Sequence, residues 1–170
     1  MMKSIVFSLI AGLSLTACSG VQEIETTVPF NEAEAAYINK TGKATVSGQA
    51  FLKRRDGVVV TCAGAEASLF PVTEYAKQRM TAIYGSENGG YRSAYGKRHS
   101  KADDPKYYEY TRETNCDAEG DFEFKGVANG EYYLTSTVIW QISDYYYEGG
   151  VLSKRIVVKN GRSQKVILTN

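Results

Sequence analysis

Tyr132-Tyr133-Leu134-Thr135-Ser136-Thr137-Val138-Ile139-Trp140-Gln141-Ile142 reads as one long strand. Aromatic and β-branched side chains dominate it, and neither glycine nor proline interrupts it. Tyr133, Thr135, Thr137 and Ile139 fall on one side, with Leu134, Val138 and Trp140 largely opposite. That period of two is the signature of a sheet. On its N-terminal side, Asp117-Ala118-Glu119-Gly120-Asp121 is a glycine turn, Phe122-Glu123-Phe124 a short strand, and Val127-Ala128-Asn129-Gly130-Glu131 a second turn. On its C-terminal side, Gly149-Gly150 introduces Val151-Leu152 and Ile156-Val157-Val158. Asn160-Gly161 has the chemistry of a hairpin turn, and Lys165-Val166-Ile167-Leu168 closes the sheet.

The same grammar runs back towards the N-terminus. Ala44, Val46, Gly48, Ala50 and Leu52 alternate with polar neighbours, Arg55-Asp56-Gly57 marks a turn, and Val58-Val59-Val60-Thr61-Cys62 is a β-branched run. Ala65 to Phe70 is a further strand, ended by Pro71. One helix interrupts the pattern: Thr73 caps Glu74 to Tyr84, Ala76, Met80, Ile83 and Tyr84 share an apolar face, and Gly85 stops it. Residues 86–105 read as a basic connection carrying Arg92, Lys97, Arg98 and Lys101. Strands resume at Tyr107 to Thr114. The expected fold is all-β, an antiparallel β-sandwich of about seven strands with one inserted helix.

The first seventeen residues read as an address. Lys3 precedes an apolar stretch from Ile5 to Ala17, roughly 20 Å of helix and short of a ~30 Å hydrocarbon core, as in a secretory signal. Leu15-Thr16-Ala17-Cys18 resembles the lipobox of bacterial lipoproteins. The resemblance implies cleavage before Cys18 and acylation of its thiol, with several chains holding the protein to the membrane. Ser19 stands where an aspartate would signal inner-membrane retention, so outer-membrane anchoring is implied, facing the periplasm or the surface. Residues 18–42 then read as the lipidated cysteine and its tether, with a brief helical turn capped by Asn31, and residues 43–170 as the domain.

Basic and acidic side chains number 20 and 19, leaving no global field to attract nucleic acid. With Cys18 acylated, Cys62 and Cys116 are an even pair in an oxidising compartment. A disulfide is the default there, and it stabilises by roughly 4 kcal/mol in the chain-entropy model; two buried free thiols are the alternative. Two cysteines and the lone His99 carry no zinc-ligand spacing, and the alternating Asp117, Glu119 and Asp121 lack the further ligands of a calcium loop. No metal and no cofactor are expected.

Val46-Ser47-Gly48-Gln49-Ala50, Gly64-Ala65-Glu66-Ala67-Ser68-Leu69, Asp117 to Phe124 and Val127 to Leu134 together resemble the carboxypeptidase regulatory-like domain, a prealbumin-like (transthyretin-type) sandwich. The resemblance spans Lys43 to Asn170, interrupted by the helix and the basic connection, and implies an accessory module without catalytic residues. One histidine leaves no partner set for nucleophilic catalysis. The C-terminus also lacks the Tyr-Arg-Gly-Ser of transthyretin-like hydrolases. Two aromatic groups remain as candidate ligand-binding residues: Tyr107, Tyr108 and Tyr110, and Trp140 with Tyr145, Tyr146 and Tyr147. The expectation is a non-catalytic envelope lipoprotein with a structural or protein-docking role. The alternative is a carbohydrate-binding module for envelope or extracellular glycans.

Overall fold

The structure, a computed structural model, describes residues 26–95 and 103–170. The signal segment, Cys18 and its acylation, and His99 with Lys97, Arg98 and Lys101 lie outside the described residues.

Nine strands build two facing sheets among the described residues: β1 (Ala44–Lys53), β2 (Val59–Thr61), β3 (Glu66–Pro71), β4 (Gly89–Ser93), β5 (Arg112–Asn115), β6 (Asp121–Val127), β7 (Gly130–Ser143), β8 (Tyr146–Val158) and β9 (Gln164–Leu168). The smaller sheet centres on β1, which pairs antiparallel with β6 and β2 and parallel with β9. The larger runs in the order β4-β8-β7-β3-β5, antiparallel throughout. The all-β sandwich expected from the sequence is therefore present, with nine strands instead of about seven and one parallel pair.

Period-two patterning explains the core. Along β1, Ala44, Val46, Gly48, Ala50 and Leu52 turn inward, and they meet Phe122, Phe124, Val166 and Leu168 of their own sheet and Leu69, Leu134, Val138, Leu152 and Ile156 of the other. Gly48 is required here, because a Cβ would lie 2.1 Å from the Val166 carbonyl oxygen and 2.6 Å from the Phe122 ring. Cys62 and Cys116 form a disulfide with an S–S distance of 2.00 Å, inside this core.

The outer face of the larger sheet carries a second, aromatic core. Helix α2 (Glu74–Tyr84) starts at Thr73, whose side chain accepts from the Ala76 N–H, and ends at Gly85 in the left-handed conformation. It buries Tyr75, Ala76 and Met80 against Tyr133 and Tyr107. Tyr132 and Tyr133 thus point to opposite faces of β7, and burial lifts both phenols to about 12.

Four expectations change. From about Thr27 the supposed tether belongs to the domain: helix α1 (Glu32–Ala35) is capped by Asn31, Phe30 packs on Tyr75 and Tyr107, and Ile38 enters the main core. The Tyr37 hydroxyl donates to the Glu131 carbonyl and accepts from the Val72 N–H, stitching this segment to the sheet. The basic connection contains β4, because β8 offers an open edge to Gly89–Ser93. Tyr107 to Thr114 is not one strand. Pro105–Glu109 forms a third helix (α3), with Asp104 accepting from the Lys106 N–H and Pro105 in the first turn, and only Arg112–Asn115 is extended. Finally, Asn160 and Gly161 do adopt the left-handed turn conformation, yet β9 does not pair with β8. Both edges of β8 are already occupied by β7 and β4, so the chain crosses to the other sheet and joins β1.

Candidate functional site

The β7–β8 hairpin is the longest element pair among the described residues, and its far end forms one wall of a cleft. Register places Ser136 opposite Leu152, Val138 opposite Gly150 and Trp140 opposite Glu148, while Tyr91 and Ser93 of β4 face Leu152 and Gly150. These positions share the inner face of the larger sheet. Deep in the sandwich they are core, as Leu134, Ser136, Val138 and Leu152 are buried. Towards the hairpin tip the same face opens to solvent and presents Tyr91, Tyr95, Trp140, Tyr146 and Glu148.

The opposing wall is the end of β1 and its turn into β2: Leu52, Lys53, Arg54 and Arg55, with Asn170 beside them. The two walls flank a half-open cleft of about 520 Å³. Its aromatic wall is held from within. Tyr95 and Tyr146 stack with ring centroids 5.1 Å apart and planes 13° from parallel. The Tyr91 hydroxyl donates to the Gly149 carbonyl at 2.9 Å, and the Tyr95 hydroxyl accepts from the Tyr147 N–H at 2.8 Å. Trp140 packs against the main core, and its indole N–H is buried with no hydrogen-bond partner among the described residues. Gly149 makes room for that indole. A Cβ there would lie 2.1 Å from the Val138 carbonyl oxygen and 2.9 Å from the Trp140 ring, on a backbone with φ of +94°.

The turn opposite is equally well fixed. Arg54 N–H donates to the Val58 carbonyl at 2.8 Å, Gly57 N–H to the Arg54 carbonyl at 3.0 Å, and Val58 N–H to Asp56 Oδ1 at 3.1 Å. Asp56 also pairs with the Arg54 guanidinium at 2.9 Å.

No family model matches the chain, and no curated protein matches it. A solved structure does. The crystal structure of a "putative carbohydrate binding protein" from Pseudomonas aeruginosa, at 2.61 Å resolution, is similar with a TM-score of 0.67 and 30% sequence identity. The alignment covers 83% of this chain and 97% of that one. The chain belongs to the same family as this Pseudomonas protein. Coverage this complete places nearly the whole of the Pseudomonas protein within the alignment.

Against this family fold, the residues singled out in the sequence separate into two places. Trp140 and Tyr146 line the cleft, Tyr145 stands at the hairpin tip almost fully exposed, and Tyr147 is half-exposed beside it. Tyr107 and Tyr108 are on the other side of the larger sheet, and Tyr110 packs against the main core away from the cleft. Tyr107 is wholly buried and stacks on Phe70 at 5.0 Å, so it offers no surface to a ligand. Tyr110 packs on Phe30 and donates to Glu32, while Tyr108 donates to Asp103 and borders a separate concavity of about 450 Å³ with Arg79 and Ile139. Sequence reasoning missed Tyr91, Tyr95, Lys53, Arg55 and Glu148. The alternation of Tyr91, Ser93 and Tyr95 was a usable strand signal, obscured by the Gly89-Gly90 that precedes it. Among the described residues no group of three or more His, Cys, Asp or Glu side chains is arranged to hold a metal ion.

Proposed function

We propose that the domain binds carbohydrate, without turnover, in the cleft between the β7–β8–β4 overhang and the β1–β2 turn. The observation that carries this reading is the aromatic wall itself. Tyr91, Tyr95, Trp140 and Tyr146 bring aromatic rings and phenol hydroxyls to a mainly polar lining, a mixture suited to a sugar ring with its apolar C–H face and polar rim. The name of the Pseudomonas family member supports it. Anchoring through an acylated Cys18 would hold the module at the outer membrane, where envelope and extracellular glycans are its natural ligands.

A glycan array probed with the intact chain tests this. Wild type is expected to retain a defined set of oligosaccharides, Tyr146→Ala to weaken retention about tenfold, and Trp140→Ala with Tyr146→Ala to abolish it. Unchanged circular dichroism for Tyr146→Ala separates lost binding from lost fold. A wild-type protein that retains no glycan sinks the proposal. A protein-docking role draws on a different observation, the exposed Ile142, Tyr145 and Tyr147 at the hairpin tip outside the cleft. That patch favours an envelope protein as a second, separate contact.

A further inference from the structure

The geometry points to an anionic saccharide, one bearing carboxylate or sulfate groups, as the ligand of this cleft; the inference rests on the carbohydrate reading and adds its charge class. The chain as a whole carries formal net charge +1, so no general basicity accounts for three consecutive cations at one rim. Lys53, Arg54 and Arg55 stand together on the wall that faces the aromatic platform. Asp56 occupies Arg54. Lys53 and Arg55 have no ion-pair partner among the described residues, and both are exposed.

Two further features make this rim a recognition element instead of a solvated surface run. Its backbone is pinned by the three turn hydrogen bonds and the Arg54–Asp56 pair, so the main chain that carries these cations needs little ordering on binding. It also lies across a cleft from stacked aromatic rings, so a sugar lying on Tyr95–Tyr146 would turn its ring substituents towards Lys53 and Arg55. The Arg55 guanidinium presents a planar fork that matches a carboxylate or sulfate through two parallel hydrogen bonds, and Lys53 adds a point charge beside it. Glu148, on the aromatic wall, can only accept hydrogen bonds, which suits sugar hydroxyls and disfavours anions placed on that side. The ligand's orientation follows: apolar ring face on the tyrosines, anionic substituent towards the β1–β2 turn.

Isothermal titration of the intact chain with three oligosaccharide series of equal length tests this: uronic acid oligomers, sulfated oligomers and neutral glucose oligomers. At low ionic strength the anionic series should bind about tenfold more tightly than the neutral one, with the advantage shrinking several-fold in ~0.5 M salt. Lys53→Gln with Arg55→Gln should bring the anionic series down to the affinity of the neutral one. A preference for uronate over sulfate, or the reverse, identifies the source of the charge and supports the inference either way. Neutral oligomers bound as tightly as anionic ones through a Tyr146-dependent site would overturn this inference alone. Failure of all three series to bind would overturn the carbohydrate reading with it.

Discussion

Replacing Tyr107 with phenylalanine should make the domain more stable. The Tyr107 ring is at the centre of the outer aromatic core, 0% exposed, stacked on Phe70 at 5.0 Å and in tilted or edge contact with Tyr75 at 5.2 Å, Tyr108 at 5.4 Å and Phe30 at 6.0 Å. The Arg79 guanidinium lies 5.2 Å from its centroid. All of those contacts belong to the ring, and phenylalanine keeps them. The hydroxyl, by contrast, is buried with no hydrogen-bond partner among the described residues. Burial also pushes its ionisation far above the usual phenol range, so it stays an unpaired O–H at every accessible pH. An unsatisfied buried hydroxyl costs about 1–3 kcal/mol; the void left by one oxygen and a slightly weaker cation–π contact return part of that. The net expectation is a gain of about 1 kcal/mol, or roughly 3–5 °C in Tm for a domain of this size. Urea unfolding should show a raised midpoint with an unchanged slope. Tyr107→Ala is the contrasting variant, expected to lose about 3–5 kcal/mol by leaving a cavity. If Tyr107→Phe proves destabilising by 1 kcal/mol or more, the hydroxyl has a partner and the reasoning fails.

Two further outcomes test the frame around the cleft. Cys62→Ala with Cys116→Ala releases a constraint over 54 residues, which the chain-entropy model puts at about 4 kcal/mol; the urea midpoint should fall by about 2 M, reduced wild type should match, and a loss below about 1 kcal/mol would contradict the model. Glu131 accepts from Arg155 Nε at 2.9 Å, and this hydrogen bonding holds its carboxyl below the usual value of 4.5. A depressed folded-state value means that the contribution is complete above the unfolded value and is lost as pH falls through the folded one, so Glu131→Gln should flatten the decline of Tm between about pH 5 and pH 3. An acid limb as steep in the variant as in wild type would remove Glu131 from the account.

What was legible in the sequence was local. The alternation in Ala44 to Leu52, the Thr73 cap with the Gly85 stop, and the pairing of Cys62 with Cys116 each rest on a few neighbouring residues or on a count, and each is present in the structure. Tyr107-Tyr108 misled because tyrosine's preference for strands reflects half-buried sheet surface, whereas Asp104 and Pro105 just ahead of it are helix-start chemistry. Asn160-Gly161 specified its own turn conformation correctly, but a turn cannot report whether the preceding strand still has a free edge. The cleft was half-legible for the same reason. Trp140 and Tyr146 belong to one hairpin and could be picked out together, while Tyr91, Tyr95, Lys53 and Arg55 join them only through β4–β8 pairing and the opposition of two sheets.

That distinction also explains why the cleft is built from residues that resemble core. Position 140 continues the series Leu134, Ser136, Val138 on the inner face of β7, and nothing in its pattern announces exposure. What changes is the partner layer: deep in the sandwich the smaller sheet covers this face, whereas at the hairpin tip only the charged end of β1 and its turn stand opposite. Where one sheet overruns the other, inward aromatics lose part of their apolar cover and keep their orientation. Gly149 and Gly150 then secure the platform. The first clears space for the Trp140 ring, and the second lets β4 approach, since a Cβ there would lie 2.0 Å from the Arg92 carbonyl oxygen. The site is thus a consequence of unequal strand lengths, with aromatics on the long sheet and cations on the rim of the short one. Deleting the cross-strand pair Ser143 and Tyr146 at the hairpin tip leaves the buried positions up to Val138 untouched, so saccharide retention and folding should part company in that variant.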